Sequence, residues 1–411
     1  MSSLVSSQNR VESPFIIVKI GDYTFGHCTR SGQSGQFGVT YPNYMESLNV
    51  TKINGAVNTY TIKMVYAITQ YDDPNMLEKV FSSVSESRLI KISYGDWNMP
   101  NFVFREEEAI ITKVTSNVDF QNSRINYTIT CTSSSLSLKA GNFSFPYRKA
   151  KPSDVLKELL SNKIYGLTDI FYGMKNATQT AFNNLIASND KVAEIQAKPN
   201  INVLDYVDYL VNCMTSVNEP ANAVIKSYVY RWAVYDDISN EMGGPYFKVI
   251  CLDKNVKYNL SYNTYEIDIG YPSGNFVTSF NINNNEAWSI LYKYSEKIKQ
   301  PQYSYSINDQ GIMETTYSPA VTNSSKYFGT TEASKTWWSQ VTSYPITAQI
   351  TIKGLMRPAL LMSYLKVNTY FYGHKHLSSG LYIINKQEDI IDSSGYRTNL
   401  TLTRLSGDEM E

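Results

Sequence analysis

Three histidines, four cysteines, one run of acids and one glycine-rich loop are the residues whose chemistry is weighed first. His374 and His376 stand at i and i+2, which puts both rings on one face of a strand and offers two nitrogen ligands to a metal. No neighbouring carboxylate or cysteine completes a four-ligand site, so an exposed loop before Ser378-Ser379-Gly380 is the plainer reading. Cys28, Cys131, Cys213 and Cys251 are far apart and match neither zinc spacing nor a disulfide framework. They read as free thiols of a reducing compartment, with Cys131 inside a strand. Glu106-Glu107-Glu108 reads as a solvated acidic face, or one that meets a basic partner. Residues 31–38 (SGQSGQFG) place Gly32, Gly35 and Gly38 three apart. A phosphate cradle would end in Gly-Lys-Ser/Thr and open a helix, and neither follows, so the segment reads as a mobile loop that orders on assembly. The nucleophile elbow, zinc-protease and dinucleotide motifs are absent. A glycosidase carboxylate pair has no fixed sequence spacing by which to find it. No catalytic residue, metal ligand or cofactor is expected.

Two large aromatics remain. Trp337-Trp338 lies in a polar stretch, 308–343, expected to be an exposed loop. The pair is either an anchor for a partner or buried against its own domain. Together with Arg30, Gly32, Gly35, Phe37 and Gly38 it forms the set of candidate assembly contacts.

The elements that must position these residues are mostly strands. The chain has 411 residues, too many for one core, so two or three domains are expected. Hydrophobic residues make up 42%, enough for those cores, while charged residues are only 18%. Uncharged polar residues take their place, with 33 tyrosines. Tyrosine and threonine suit strands, and tyrosine suits wet interfaces because its ring packs while its hydroxyl stays bonded. Lys plus Arg equals Asp plus Glu at 37 each, so the total lacks the basic surplus of a nucleic-acid binder. Residues 1–13 read as a flexible lead-in without the apolar core of a signal peptide. The longest apolar stretch, 355–367, is broken by Arg357, Pro358 and Lys366, so no membrane span is expected.

Strand patterns run over 14–20, 47–53, 58–68 and 89–94, with an amphipathic helix opening at Asp73-Pro74. The middle of the chain changes character. Helices are expected after Pro152 and over 204–217, a polar insertion with weak helical spacing over 167–199, and a hairpin over 228–235 and 246–252. Strands return at 264–269, 277–282, 346–352, 365–371, 381–388 and 397–404, with a helix over 286–299. The fold class expected is mainly β with an α+β insertion. Its division is a lead-in (1–13), a β unit (14–150), a mixed α/β unit (151–260), a second β unit (261–406) and a tail (407–411).

Residues 109–132 and 381–403 look alike: an alternating strand, a polar turn, then a second alternating strand rich in threonine. With one gap, Ile125, Tyr127, Ile129 and Cys131 match Tyr396, Thr398, Leu400 and Leu402, as two copies of one β-barrel would. Any two hairpins share some of this pattern.

The last segment also carries a resemblance. Gly380-Leu381-Tyr382-Ile383-Ile384, followed by Gly395-Tyr396-Arg397-Thr398-Asn399-Leu400-Thr401-Leu402, resembles the closing hairpin of phage-tail baseplate hub proteins. Contractile-tail hubs and the hub part of type VI secretion spikes belong to that family. The entry strand from Pro14 and the order barrel, insertion, barrel also look like it. The resemblance implies two tail-tube-like β-barrels per chain and a homotrimer lying between a hexameric tube, or tube-initiator protein, and a trimeric central spike. Other baseplate proteins would be partners, and phage DNA would pass without specific binding. Such a protein is a virion component of the tail, assembled in the host cytoplasm, and not an enzyme. A hexameric tail-tube or distal-tail protein, and a carbohydrate-binding or hydrolase component of a tail, are the alternatives.

Overall fold

A computed structural model of the chain describes residues 2–4, 11, 13–21, 23–27, 41–42, 45–67, 89–96, 104–139, 141–161, 186–220, 227–237, 246–253, 264–270, 276–284, 303–307, 313–317, 346–355 and 360–407. The expected helices after Asp73 and over 286–299 lie outside them, as do Arg30, Gly32, Gly35, Phe37, Gly38, Trp337 and Trp338.

The architecture is mainly β, as the patterning indicates. The first part holds β1 (Ser2–Ser3), β2 (Pro14–Ile20), β3 (Tyr23–His27), β4 (Tyr41–Pro42), β5 (Met45–Ile53), β6 (Thr59–Ala67), β7 (Leu89–Asp96), β8 (Phe104–Asp119) and β9 (Arg124–Ser133). The middle holds β10 (Asn142–Phe145), β11 (Arg148–Ala150), helix α1 (Pro152–Ser161), β12 (Ala193–Ile195), β13 (Lys198–Asn202), helix α2 (Val203–Cys213), β14 (Tyr228–Tyr235) and β15 (Tyr246–Asp253). The last part holds β16 (Thr264–Ile269), β17 (Val277–Asn284), β18 (Tyr303–Ile307), β19 (Met313–Tyr317), β20 (Ile346–Lys353), β21 (Tyr364–Phe371), β22 (His374–Lys375), β23 (Gly380–Asp392) and β24 (Gly395–Gly407).

The two helices follow from local chemistry. Asn202 caps α2, its side chain accepting from the Asp205 amide at 2.9 Å. Leu204, Val207, Leu210 and Val211 bury one face against β14 and β15. Pro152 fits the first turn of α1, and buried Asp190 accepts the Ser153 amide there at 2.9 Å, a carboxylate at the positive end of the helix.

Three expectations are corrected. The lead-in 1–13 was expected to be flexible, yet its described residues are tied down: β1 pairs in parallel with β16, Leu4 is buried in the last core, and the amide of buried Val11 donates to the Gly354 carbonyl at 2.7 Å. The 167–199 insertion was expected to have weak helical spacing; its residues 167–185 lie outside the described ones, and the rest carries β12 and the start of β13, which are strands. They pair with β11 and β10, which the sequence division had placed in the first β unit. The reason is burial: Phe145 and Ile195 join the middle core, and Phe145 stacks on Tyr206 at 3.7 Å. The last correction concerns 308–343, expected as a loop: residues 313–317 are β19, which pairs with β18, while 308–312 and 318–343 lie outside the described residues. Short polar segments with β-prone tyrosine and threonine make such ribbons without a long apolar run.

One continuous sheet joins the first and last parts. Through its middle it runs β17, β20, β24, β23, β5, β6, β9, β8, and beyond β8 it continues through β7, β2, β3 and β4, with β21, β16 and β1 branching from β23. The two hairpins hold equivalent places in it. In the first, Thr112 bulges from β8 between the pairs Ile111–Cys131 and Lys113–Thr130. In the second, Asn385 bulges from β23 between Ile384–Leu402 and Lys386–Thr401. The next strands agree: Ile129 lies opposite Ile62 of β6, and Leu400 opposite Ile350 of β20. One strand further, β5 bulges at Glu46 and β17 at Thr278, again in matching register. Ile125, Tyr127, Ile129 and Cys131 are buried, and so are Tyr396, Thr398, Leu400 and Leu402. Agreement of strand order, register and two bulges goes far beyond what two unrelated hairpins share. The halves differ at their outer ends, since β2 pairs antiparallel with β7 whereas β16 pairs parallel with β21.

Candidate functional site

A cluster of charged side chains is buried where β5 meets β23, beside the middle unit. Alternation along each strand places them. Leu48, Val50 and Lys52 share the inward face of β5. On β8, Arg105, Glu107, Ala109 and Ile111 face inward, and on β23 Gln387, Asp389 and Ile391 do. Asp236 follows β14 and is fully buried.

Glu107 is the centre. Lys52 donates to its Oε1. Tyr94 donates to Oε1 at 2.9 Å and Tyr60 to Oε2 at 2.7 Å. Arg105 Nη1 lies 3.7 Å from Glu107 and 3.5 Å from Asp389, while Thr398 and Gln387 donate to Asp389 at 2.8 and 2.9 Å. Asp236 Oδ2 accepts from Asn58 and Ser133, both at 2.7 Å, and lies 3.0 Å from the Tyr60 hydroxyl. The acidic run 106–108 is therefore no solvated face. Glu106 and Glu108 are half-exposed, but Glu107 points into the interior, as the β period requires.

Burial would raise the Glu107 pKa, but Lys52 and Arg105, with the Lys52 and Tyr60 hydrogen bonds, outweigh it and hold the carboxyl below its ordinary value. Burial dominates at Asp389 and raises it despite Arg105 and Lys52. Among the described residues no cation pairs with Asp236. Burial, with Glu107 nearby, pushes it up to about 6 against the hydrogen bonds from Ser133, Asn58 and Tyr60. The hydroxyls of Tyr60, Tyr94 and Tyr396 are pushed far up, mainly by burial, so they stay protonated donors.

The arrangement resembles an acid–base site, with two carboxylates bridged by a tyrosine, but its members are sealed off. Glu107 and Asp236 are fully buried, so no substrate reaches them. The cluster acts instead as a latch that ties β5, β8 and β23 to the middle unit. The latch is pH-sensitive through Asp236, whose folded pKa lies above the unfolded value of about 3.9. Its contribution to stability is full below that value and is lost as pH rises through about 6. A displacement of this size is worth roughly 3 kcal/mol. Asp236→Asn is expected to flatten the stability profile between pH 4 and about 6, measured by urea midpoints; an unchanged profile would show that Asp236 does not titrate there.

The other candidates are plain. His374 lies in the exposed two-residue strand β22 and exposed His376 follows it, with His376 Nδ1 2.8 Å from Ser378 Oγ and its ring edge-on to Phe371. Among the described residues no group of His, Cys, Asp or Glu could hold a metal, and no helix is long and apolar enough to cross a membrane. Among the described residues no disulfide joins Cys131, Cys213 and Cys251, and burial pushes the Cys131 thiol up to about 12. Cys28 lies outside the described residues.

No family model matches the chain, nor does any curated protein. Solved structures do. The 43 kDa tail protein of prophage MuSo2 from Shewanella oneidensis aligns over 96% of this chain and 99% of its own, at 10% identity and a TM-score of 0.51. The tail protein from Neisseria meningitidis MC58 aligns over 96% and 97%, at 9% identity and a TM-score of 0.50. This is a tail-protein fold. The whole described sheet and the middle unit belong to one architecture shared along nearly the full length of both proteins. The likeness of residues 380–404 to a phage-tail hairpin agrees with a fold that this chain shares, over nearly its whole length, with two solved tail proteins.

Proposed function

We propose that this chain is the structural baseplate hub of a phage or phage-like tail, a homotrimer that adapts a sixfold tube to a threefold spike. The observation that carries the reading is the duplication, two halves of one sheet with equal strand order, register and bulges. Three chains present six such halves, which is what a ring between sixfold and threefold partners needs. A sixfold assembly of this chain would present twelve halves, which disfavours the tube or distal-tail reading. The tube or its initiator binds on one side, the spike on the other, and further baseplate proteins around them. Neutral overall charge suits a channel through which DNA slides without being held. The role is non-enzymatic, in keeping with a charged cluster that substrate cannot enter. Its place is the virion tail, after assembly in the host cytoplasm. The duplication also supports two tube-like barrels flanking an inserted unit, which begins at about 142 because β10 and β11 pair within it and runs to about 260; Arg30, Phe37, the 31–38 glycines, Trp337 and Trp338 are proposed as assembly contacts. The number of chains in the ring taken from particles tests the reading: three are expected, and six would overturn it.

A further inference from the structure

The two halves meet inside the chain along one seam, and among the described residues the same seam is left open along β17 and the far half of β8. At the closed seam the far half of β23 pairs antiparallel with β5: Gln387 opposite Lys52, Glu388 opposite Thr51, Asp389 opposite Val50, Ile390 opposite Asn49, Ile391 opposite Leu48. The near half of β23 pairs with β21 on that same side. In the other half of the chain, β8 is the counterpart of β23 and its near half likewise pairs with β7. Its far half, 113–119, pairs only with β9 among the described residues. Likewise β17, the counterpart of β5, pairs only with β20 among the described residues. The chain therefore carries one copy of each edge that its own closed seam joins.

Side chains agree with the backbone. Ile391 and Val50 are 2% and 0% exposed at the closed seam. Their counterparts at the open ends, Val118 and Ile282, are 44% and 40% exposed. Leu48 is fully buried, while its counterpart Phe280 is half-exposed. A long strand edge with exposed apolar residues is a template for another chain unless something covers it.

We infer that β8 of one copy pairs antiparallel with β17 of the next copy, with Thr115 opposite Asn283, Ser116 opposite Ile282, Asn117 opposite Asn281 and Val118 opposite Phe280. The register is the closed seam carried across the two matched bulges. The partner is a second copy of this chain, because the open edges repeat the two sides of a junction the chain already makes. The number of copies that closes the ring rests on the hub reading; the pairing itself rests on the edges.

The test is a full-length chain carrying Thr115→Cys and Asn283→Cys, exposed positions that do not disturb the core. Directly opposed residues bring their Cβ atoms within about 5.5 Å, close to disulfide range, whereas a two-residue slip moves them about 6.8 Å along the strand. Native mass of the assembly is measured first, then oxidation and non-reducing electrophoresis, with the unsubstituted chain, whose four cysteines are retained throughout, and the chains carrying each substitution alone as controls. The expected result is a three-chain assembly that becomes covalent, while Thr115→Cys with Asn281→Cys stays at one chain. A three-chain assembly that stays uncross-linked at Thr115 and Asn283 overturns the pairing and leaves the hub reading standing. A six-chain assembly that cross-links there keeps the pairing and removes the threefold reading. A chain that stays single at every concentration removes both.

Discussion

Glu107→Ala is expected to lower stability by about 3–5 kcal/mol, a large share of the ~5–15 kcal/mol that holds a typical protein together. Removing the carboxylate leaves Lys52 buried with its cation unmatched and leaves Arg105 with Asp389 alone. It also strips Tyr94 of the acceptor its hydroxyl reaches and leaves Tyr60 only Asp236. The loss therefore comes from stranded groups and not from the net worth of the ion pair, because desolvation cancels most of that worth. A second variant separates the two. Lys52→Met with Glu107→Leu removes both charges and fills the space, and Arg105 keeps Asp389 as its partner. It is expected to recover most of the loss when both are compared by urea midpoints. Equal losses in the single and double variants would mean that the pair itself, and not an unmatched charge, carries the energy.

Leu400→Asp is expected to abolish folding of the second half, whereas Thr401→Asp next to it leaves the half folded. Leu400 is 1% exposed and packs among Ile350, Ile352, Leu365 and Leu402. A carboxylate there has no cation to meet and would be buried or would tear the strand outward. Thr401 points to the other face and is only half-buried. The duplication sharpens the comparison. Leu400→Ala and Ile129→Ala remove matched side chains from matched registers, and deletions of this kind cost about 2–5 kcal/mol. Soluble yield and circular dichroism check the first pair, and thermal midpoints check the second. A folded Leu400→Asp chain would mean that this face of β24 is not core.

Both predictions bear on how much the sequence could say. Strands with a clean period of two, such as β6, β9 and β24, were legible because one face is buried and a one-residue slip would expose it. The capped helix α2 was legible for the same kind of reason. The duplication was visible in the hairpins, but its proof lay in the bulges at Thr112 and Asn385, which are properties of pairing and not of composition. Glu107 was missed because three acids in a row read as a wet surface. A signal was present, since Arg105 and Glu107 continue the inward parity of Ala109 and Ile111, as Lys52 continues that of Leu48 and Val50. Charge at a core position is rare enough that hydropathy outvoted parity. The ribbons β10–β13 and β11–β12 were missed because three- to five-residue strands carry too little pattern. The seam of β23 with β5 joins residues more than three hundred positions apart, and no local rule foretells such a partner.

The central claim is that one chain supplies two equivalent places in a ring of three. It is tested most directly by the native mass of the ring released intact from particles, counted in chains of 46.7 kDa. Three chains are expected, their six sheet halves joined alternately by the β23–β5 seam within a chain and the proposed β8–β17 seam between chains. A ring of six chains would contradict it.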